Sequence, residues 1–318
     1  MSQFKVLVPI PIFSQQCAEA RAMLEAHGME VIQNTFGLPF DMNRFQDELP
    51  EIDAVICGIE TWGAREMERL PKLKILSRFG VGVDNIDLEA AKARGIICTR
   101  AVGINTYAVA EFAVTSMLAM LRRVVLLDRE TKSGQWIKHQ GEELAGKTVG
   151  LIGFGAIARQ VAKLLQGFSV RILAYDAYPN QQAAEQLGVT LTSLDQVLAE
   201  SHILSLHLPG TPETKHLIGA EAFSKMRRGA YLVNTSRGAV VDEAAAYEAL
   251  SSGKLAGMTS DVFDPEPPAY NHPLFKLDHF FCSPHVAAAT VEANRKTSLL
   301  AVQNVIDCLE GRTPCNIL

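Results

Sequence analysis

The stretch Thr148–Leu165, TVGLIGFGAIARQVAKLL, decides the fold. An apolar run stops at a glycine turn, and a helical pattern carrying Val161, Leu164 and Leu165 follows. Gly153, Gly155 and Ala158 stand in G-x-G-x-x-A spacing. Gly153 permits a tight turn, Gly155 lets the backbone approach a pyrophosphate, and Ala158 lets the helix pack close to the strand. The helix start then presents free N–H groups and the positive end of a dipole, both of which favour an anion. The next apolar run, VRILAYD, ends at Asp176, roughly twenty residues past Gly153, the interval at which an acidic side chain meets the adenosine ribose hydroxyls. Asp176 repels a 2′-phosphate, and Ala177, Tyr178 and Pro179 offer no arginine to receive one. The segment predicts a dinucleotide-binding α/β unit that takes NAD rather than NADP.

Strand-like runs extend outward from this segment in both directions. Downstream they fall at Val170–Tyr175, Ile203–Leu206, Tyr231–Val233, Met258–Val262 and Phe280–Cys282, about six strands counting the one from Thr148. Upstream lie Val6–Val8, Val31–Gln33, Ala54–Cys57, Ile75–Phe79 and Ile96–Thr99, alternating with helical patterns, a second parallel α/β unit. Between the two series, Asn105–Arg122 reads as a longer helix with apolar Val109, Phe112, Ala113, Leu118 and Leu121. A last helix, Thr290–Gly311, is expected to pack back onto the first unit.

The chain has 318 residues and is 48% hydrophobic, enough for two ordinary globular domains. Its formal net charge is −5, with Lys and Arg scattered, so no footprint for nucleic acid is visible. The longest apolar stretch, Phe112–Leu121, is interrupted by Thr115 and Ser116 and stopped by Arg122 and Arg123, short of a membrane span. The opening MSQFKVLVPI passes straight into a strand pattern without a signal-peptide core, which suggests the cytoplasm. Cys17, Cys57, Cys98, Cys282, Cys308 and Cys315 form no CxxC pair and are expected to be reduced, buried thiols. The histidines show no metal-ligand spacing, so no metal is expected.

Three late segments each supply one group of particular use beside a nicotinamide. Arg237 lies in NTSRG, Glu266 in DVFDPEP and His285 in SPHVA. A guanidinium holds a carboxylate by two parallel hydrogen bonds, an imidazole delivers a proton near neutral pH, and a carboxylate keeps that imidazole charged and oriented. Any one of them alone is ordinarily a solvated or structurally satisfied side chain. Together they compose a substrate clamp, an acid and its orienter for a keto acid.

In these segments, and in SRFGVGVDNID from Ser77, GINTYAVAE from Gly103, HLPGTPET from His207 and NTSRGAVVDE from Asn234, the chain resembles the D-isomer-specific 2-hydroxyacid dehydrogenases over nearly its whole length. The resemblance implies two Rossmann-like domains. Residues 99–289 would be a doubly wound NAD-binding domain, and residues 1–98 with 290–318 a discontinuous, flavodoxin-like substrate domain. It implies hydride transfer between nicotinamide and a 2-keto acid, with His285 as proton donor and base, Glu266 as its partner and Arg237 on the substrate carboxylate. It further implies Ala156 and Ile157 at the pyrophosphate, Leu208 near the cofactor, Thr235 and Ser236 beside the nicotinamide, and Asp261 on its carboxamide. Val81 and Gly82 would offer N–H groups to the substrate carboxylate, with Asn105 facing the pocket. His207 is read as packing. Members of the family dimerise through the NAD-binding domain, which points to Asn105–Trp136. Trp136 either reaches a partner's site or is buried at the interface.

The departures concern the substrate's far end. The loop CTRAVGINT carries Arg100 and Val102 in place of the family's usual asparagine and proline. Phosphoglycerate enzymes need cations around the distal phosphate, often an arginine after the third strand, where this chain reads CGIETWG with Glu60. Arg78 and Arg100 remain for that task, and glyoxylate or hydroxypyruvate fits equally. The chain ends soon after the last helix, so a C-terminal regulatory domain is not expected. A corepressor of the same fold acting through partners, and a phosphite dehydrogenase, are the competing readings; a formate dehydrogenase is disfavoured because those enzymes carry Gln where Glu266 stands.

Overall fold

The computed structural model describes residues 4–318; Met1, Ser2 and Gln3 of the opening reading lie outside the described residues. Twelve strands occur among the described residues. They are β1 (Phe4–Val8), β2 (Met29–Gln33), β3 (Ala54–Cys57), β4 (Ile75–Arg78), β5 (Ile97–Thr99), β6 (Thr148–Ile152), β7 (Arg171–Tyr175), β8 (Val189–Leu191), β9 (Ile203–Leu206), β10 (Ala230–Asn234), β11 (Leu255–Ser260) and β12 (Phe280–Cys282). The chain divides into two compact units, Met1–Asn105 with Ala289–Leu318, and Thr106–Ala288.

The first unit holds a parallel sheet in the order β2-β1-β3-β4-β5, the flavodoxin-like winding. Its strands are covered on both faces, as parallel sheets require. Val6, Val8, Ala54, Ile56 and Ile75 face the helix Val291–Leu309 and its apolar Ala301, Val302, Val305 and Ile306. Leu7, Val55, Cys57 and Leu76 face the other side, with Trp62, Met67 and Leu70. Thr290 starts the late helix as an N-cap, its hydroxyl accepting from Ala293 N–H at 3.1 Å. Two ties fix the far end of β5: Arg100 N–H donates to Asn316 O and Ala101 N–H to Gly80 O. Residues 99–105 therefore cluster with the first sheet, and the unit boundary falls at 105/106 rather than at 98/99.

The second unit holds a seven-stranded parallel sheet, β12-β11-β10-β9-β6-β7-β8. Read from β6, this is the doubly wound Rossmann order with one further strand at the β12 edge. One face packs Leu204, Leu206, Leu232 and Met258 against Phe223 and Leu250. The other packs Val149, Leu151, Ile172 and Val233 against the helices Thr106–Leu121 and Ala156–Leu165. The count is seven rather than about six because β8 is a three-residue edge strand with one buried side chain, Val189.

The helix expected over 105–122 spans Thr106–Leu121. Arg123, at φ 53°, breaks it, and a second helix, Val124–Lys132, follows with no buried residue. Trp136 is 83% exposed on this chain. All six cysteines are free, but only Cys17, Cys57 and Cys98 are buried; Cys282 and Cys315 are exposed and Cys308 is half-buried. Among the described residues no helix is long and apolar enough to cross a membrane, and no group of three or more His, Cys, Asp or Glu could hold a metal ion.

Candidate active site

Each chemistry-bearing segment of the second unit begins where a strand ends. Gly153 follows β6, Asp176 follows β7, and His207 and Leu208 follow β9. Thr235, Ser236 and Arg237 follow β10, Asp261–Glu266 follow β11, and Ser283–His285 follow β12. In an open parallel sheet all these ends share one edge. Ligands bind there, beside the point where the winding reverses, here between β6 and β9.

The glycine turn has the geometry a dinucleotide needs. Gly153 has φ 85°, and a Cβ there would lie 2.5 Å from His207 O. Gly155 is the N-cap of the helix Ala156–Leu165, and a Cβ on it would meet nothing within 4 Å. Gly155 and Ala156 are exposed and Ile157 is half-buried, whereas Ala158 is fully buried against the sheet. Asp176 accepts Phe154 N–H at 2.6 Å and Tyr178 N–H at 2.7 Å, one on each oxygen. Each oxygen keeps a lone pair for a hydroxyl. The buried Thr235 hydroxyl has no hydrogen-bond partner. An open cradle at a helix start, a half-buried acid past β7 and an unpaired hydroxyl past β10 fit NAD.

The turn after β10 is organised by Asn234, a residue whose role the sequence did not reveal. Its Oδ1 accepts from Ser236 N–H at 3.0 Å and Ser236 Oγ at 2.8 Å, and its Nδ2 donates to Arg237 O at 2.9 Å. An Asn followed two residues later by Ser is the available signal for such a turn. Arg237 is half-buried, donates from one terminal nitrogen to Ser236 O at 2.7 Å and packs its stem beneath Gly210. Leu208 is half-buried against the core.

His285 and Glu266 meet directly. His285 Nδ1 lies 2.7 Å from Glu266 Oε2, and Glu266 Oε1 accepts Phe263 N–H at 3.0 Å. Burial opposes the charge on Glu266, yet the hydrogen bonds from His285 and Phe263 and the charges of His285 and Arg237 outweigh it. The carboxyl is held below its ordinary range. With Nδ1 engaged, Nε2 of His285 is the nitrogen left to exchange a proton. The backbone of His285 is left-handed at φ 53°, and its N–H donates to Asp261 O at 2.8 Å. Asp261 is 1% exposed; its carboxylate accepts Ser283 Oγ, Val286 N–H and Ala287 N–H at 2.5, 2.9 and 2.8 Å. One buried acid thus clamps the loop that carries the histidine. His207 shares a hydrogen bond with Ser205 at 3.0 Å, and burial lowers its pKa to about 4, so it is neutral near pH 7.

The remaining predicted residues lie in the first unit. Arg78 donates to Gly82 O at 2.9 Å and Phe79 O at 2.6 Å, bracing the loop that contains Val81 and Gly82. Arg100 and Asn105 are half-buried past the end of β5. Glu60 accepts Gly58 N–H at 2.6 Å and Trp62 Nε1–H at 3.2 Å past the end of β3.

Comparison with known proteins agrees with this architecture. Residues 114–287 match the model of the D-isomer specific 2-hydroxyacid dehydrogenase NAD binding domain. The chain is 40% identical over 310 residues to the D-3-phosphoglycerate dehydrogenase of Archaeoglobus fulgidus, covering 96% of this chain and 58% of that protein. It is 43% identical over 270 residues to the glyoxylate reductase of Thermofilum pendens, covering 82% and 80%. The TT0316 protein from Thermus thermophilus superposes with a TM-score of 0.90 at 35% identity, covering 99% of this chain and all of that one. The glycine turn, the acid past β7 and the strand-end Arg, Glu and His thus sit within a matched NAD binding domain, and the chain belongs to the D-isomer-specific 2-hydroxyacid dehydrogenase family.

Proposed function

We propose that the chain reduces a small 2-keto acid to the D-2-hydroxy acid, reversibly, with NADH. The observation that carries the reading is the 2.7 Å pair of His285 and Glu266, past the ends of the two strands beyond the one that Arg237 follows, in the sheet that bears the dinucleotide turn. NADH, when bound, supplies the hydride that adds to the keto carbon. His285 Nε2 gives its proton to the carbonyl oxygen and takes one back in the oxidative direction. Glu266, held charged, stabilises the imidazolium before that transfer and fixes the ring. Arg237 clamps the substrate carboxylate and faces the charge that grows on the oxygen, stabilising it more than the ground state. In the first unit we assign Val81, Gly82, Asn105 and Arg100 to substrate recognition, with Arg78 bracing the loop that holds Val81 and Gly82.

For the substrate's far end we favour an unphosphorylated group. Arg78 is directed at two carbonyls of its own loop, and the position past β3 holds the Glu60 carboxylate. Anionic Glu60 opposes a distal phosphate. A panel of glyoxylate, hydroxypyruvate and 3-phosphohydroxypyruvate, each with NADH and NADPH, tests class, cofactor and size together. Higher kcat/KM with the two unphosphorylated acids and NADH is expected. Preference for the phosphorylated acid would falsify the substrate assignment, and no turnover of any keto acid would defeat the reaction class.

The helix Val124–Lys132 and the segment after it expose Val124, Val125, Trp136 and Ile137. We assign this apolar surface to a homodimer, and light scattering that returns a monomer at working concentration sinks the assignment. We assign the protein to the cytoplasm, in keeping with an opening sequence that has no signal-peptide core; cell fractionation checks it.

A further inference from the structure

The turn that carries Glu266 is gripped from outside by groups to which the proposed chemistry assigns no part. Gly238, directly after Arg237, packs so closely on the Phe263–Asp264 peptide that a Cβ would overlap the Phe263 carbonyl and come within 2.6 Å of Asp264 N. The Asp264 N–H donates to Glu243 Oε1 at 3.2 Å. Glu243 Oε2 lies 2.9 Å from His272 Nε2. The orientation of His272 is set in turn: its Nδ1 accepts Leu274 N–H at 3.4 Å, and its ring meets Phe263 edge-on at 5.9 Å and Phe275 at 5.4 Å. Nδ1 is thereby an acceptor and Nε2 the donor to Glu243. Glu243 and His272 have only 20% and 15% of their side-chain surface exposed, so water competes weakly for the bond between them.

We propose that Glu243 is a positioning residue for Glu266, with His272 holding Glu243 in place. The Glu266 carboxylate must serve two partners at once, Phe263 N–H and His285 Nδ1. Both bonds require the turn 263–266 to hold one conformation. Phe263 N–H is bound from inside by Glu266 itself, and Asp264 N–H, the next amide, from outside by Glu243. Without the outer bond only the Gly238 contact holds the Phe263–Asp264 peptide from that side, and a shift of the peptide carries the Glu266 carboxylate off the imidazole. Glutamine at 243 retains the acceptor oxygen for Asp264 N–H, whereas alanine removes it. The assignment of kinetic consequences rests on the keto-acid reductase reading; the geometry of the turn does not.

The test uses full-length protein labelled with ¹⁵N at histidine, with the His285 Nδ1–H proton assigned by its loss in His285→Gln. Glu243→Gln, which keeps the acceptor for Asp264 N–H but sets an amide NH2 against His272 Nε2–H, should move that resonance no further than His272→Phe does. Glu243→Ala should move it toward its position in Glu266→Gln, and His272→Phe, which keeps the aromatic packing, should move it part of the way. An unmoved resonance in folded Glu243→Ala overturns the proposal; if that variant does not fold, an unmoved resonance in His272→Phe does so instead. Kinetics supply the second arm. Glu243→Ala should lower kcat about 10- to 100-fold with KM for NADH little changed, and Glu243→Gln should lose no more than His272→Phe does. In the Glu266→Gln background the same substitution should cost almost nothing more, because its target is gone. Equal fractional losses in both backgrounds mean that Glu243 acts independently of Glu266, and the proposal fails. Absence of turnover in the wild type counts against the reductase reading alone, since the resonance still reports on the turn.

Discussion

Gly153 and Gly155 look equivalent in the motif, yet they are constrained by different physics. Gly153 combines a φ of 85° with a neighbouring carbonyl 2.5 Å from its missing Cβ, so Gly153→Ala should destabilise the second unit by more than about 2 kcal/mol. Gly155 has φ −74° and open space around its Cβ position. Gly155→Ala should cost folding less than about 0.5 kcal/mol while weakening NADH, because the methyl occupies the space of the pyrophosphate. Urea denaturation and NADH fluorescence titration separate the two effects. Equal stability losses would contradict this division. His207 gives a pH prediction. Its pKa drops from an ordinary 6.5 to about 4 in the fold, so between those values the unfolded chain binds the extra proton. Stability should fall as pH drops from about 6.5 toward 4 and level off below, and His207→Phe should flatten that slope in urea midpoints. At this scale Arg237, Glu266 and His285 were legible because each sits in a segment of recognisable chemistry. The clamps made by Asn234, Gly238 and Asp261 were not. Gly238 and Asp261 meet groups at a neighbouring strand end that only the sheet order brings close, whereas Asn234 bonds within its own turn, where Asn and Ser two residues apart were the one signal.

Among elements, the late helix Val291–Leu309 contributes much of the apolar cover on one face of the first sheet. Ile306 is fully buried there, and Ile306→Ala should cost about 2–5 kcal/mol. Thr290→Ala removes the N-cap and should cost about 1 kcal/mol. Amide hydrogen exchange in β1, β3 and β4 should rise with the first substitution well beyond the second; unchanged exchange there would mean that the helix is not the cover it is taken to be. Eleven of the twelve strands could be placed from apolar runs, since a strand buried on both faces writes itself as a continuous run such as VRILAY. The exception, β8, reads VTL, with exposed Thr190 between two apolar residues, so it lacks the continuous run that marked the others. The helix Val124–Lys132 was read only as a following segment, because its apolar residues run consecutively from Val124 to Leu127 instead of recurring at helical spacing, and none is fully buried.

At the scale of the whole molecule, two units with separate cores imply separable responses to ligand. NADH at a hundred times its Kd should raise the unfolding free energy of residues 106–288 by about 2.7 kcal/mol, measured by hydrogen exchange in β6 and β9. Protection confined to residues 4–105 would put the cofactor in the wrong unit. The division of the chain also bears on how it is made. The first unit takes its strands from the beginning of the sequence but its covering helix from residues 291–309, with all of Thr106–Ala288 in between. On a ribosome adding roughly 5–20 residues per second, β1–β5 emerge and then wait on the order of tens of seconds for that helix. Val6, Val8, Ala54, Ile56 and Ile75 lack its cover throughout that interval. The nascent chain therefore completes its second unit before its first, and one face of the first sheet stays open to solvent until residues 291–309 emerge.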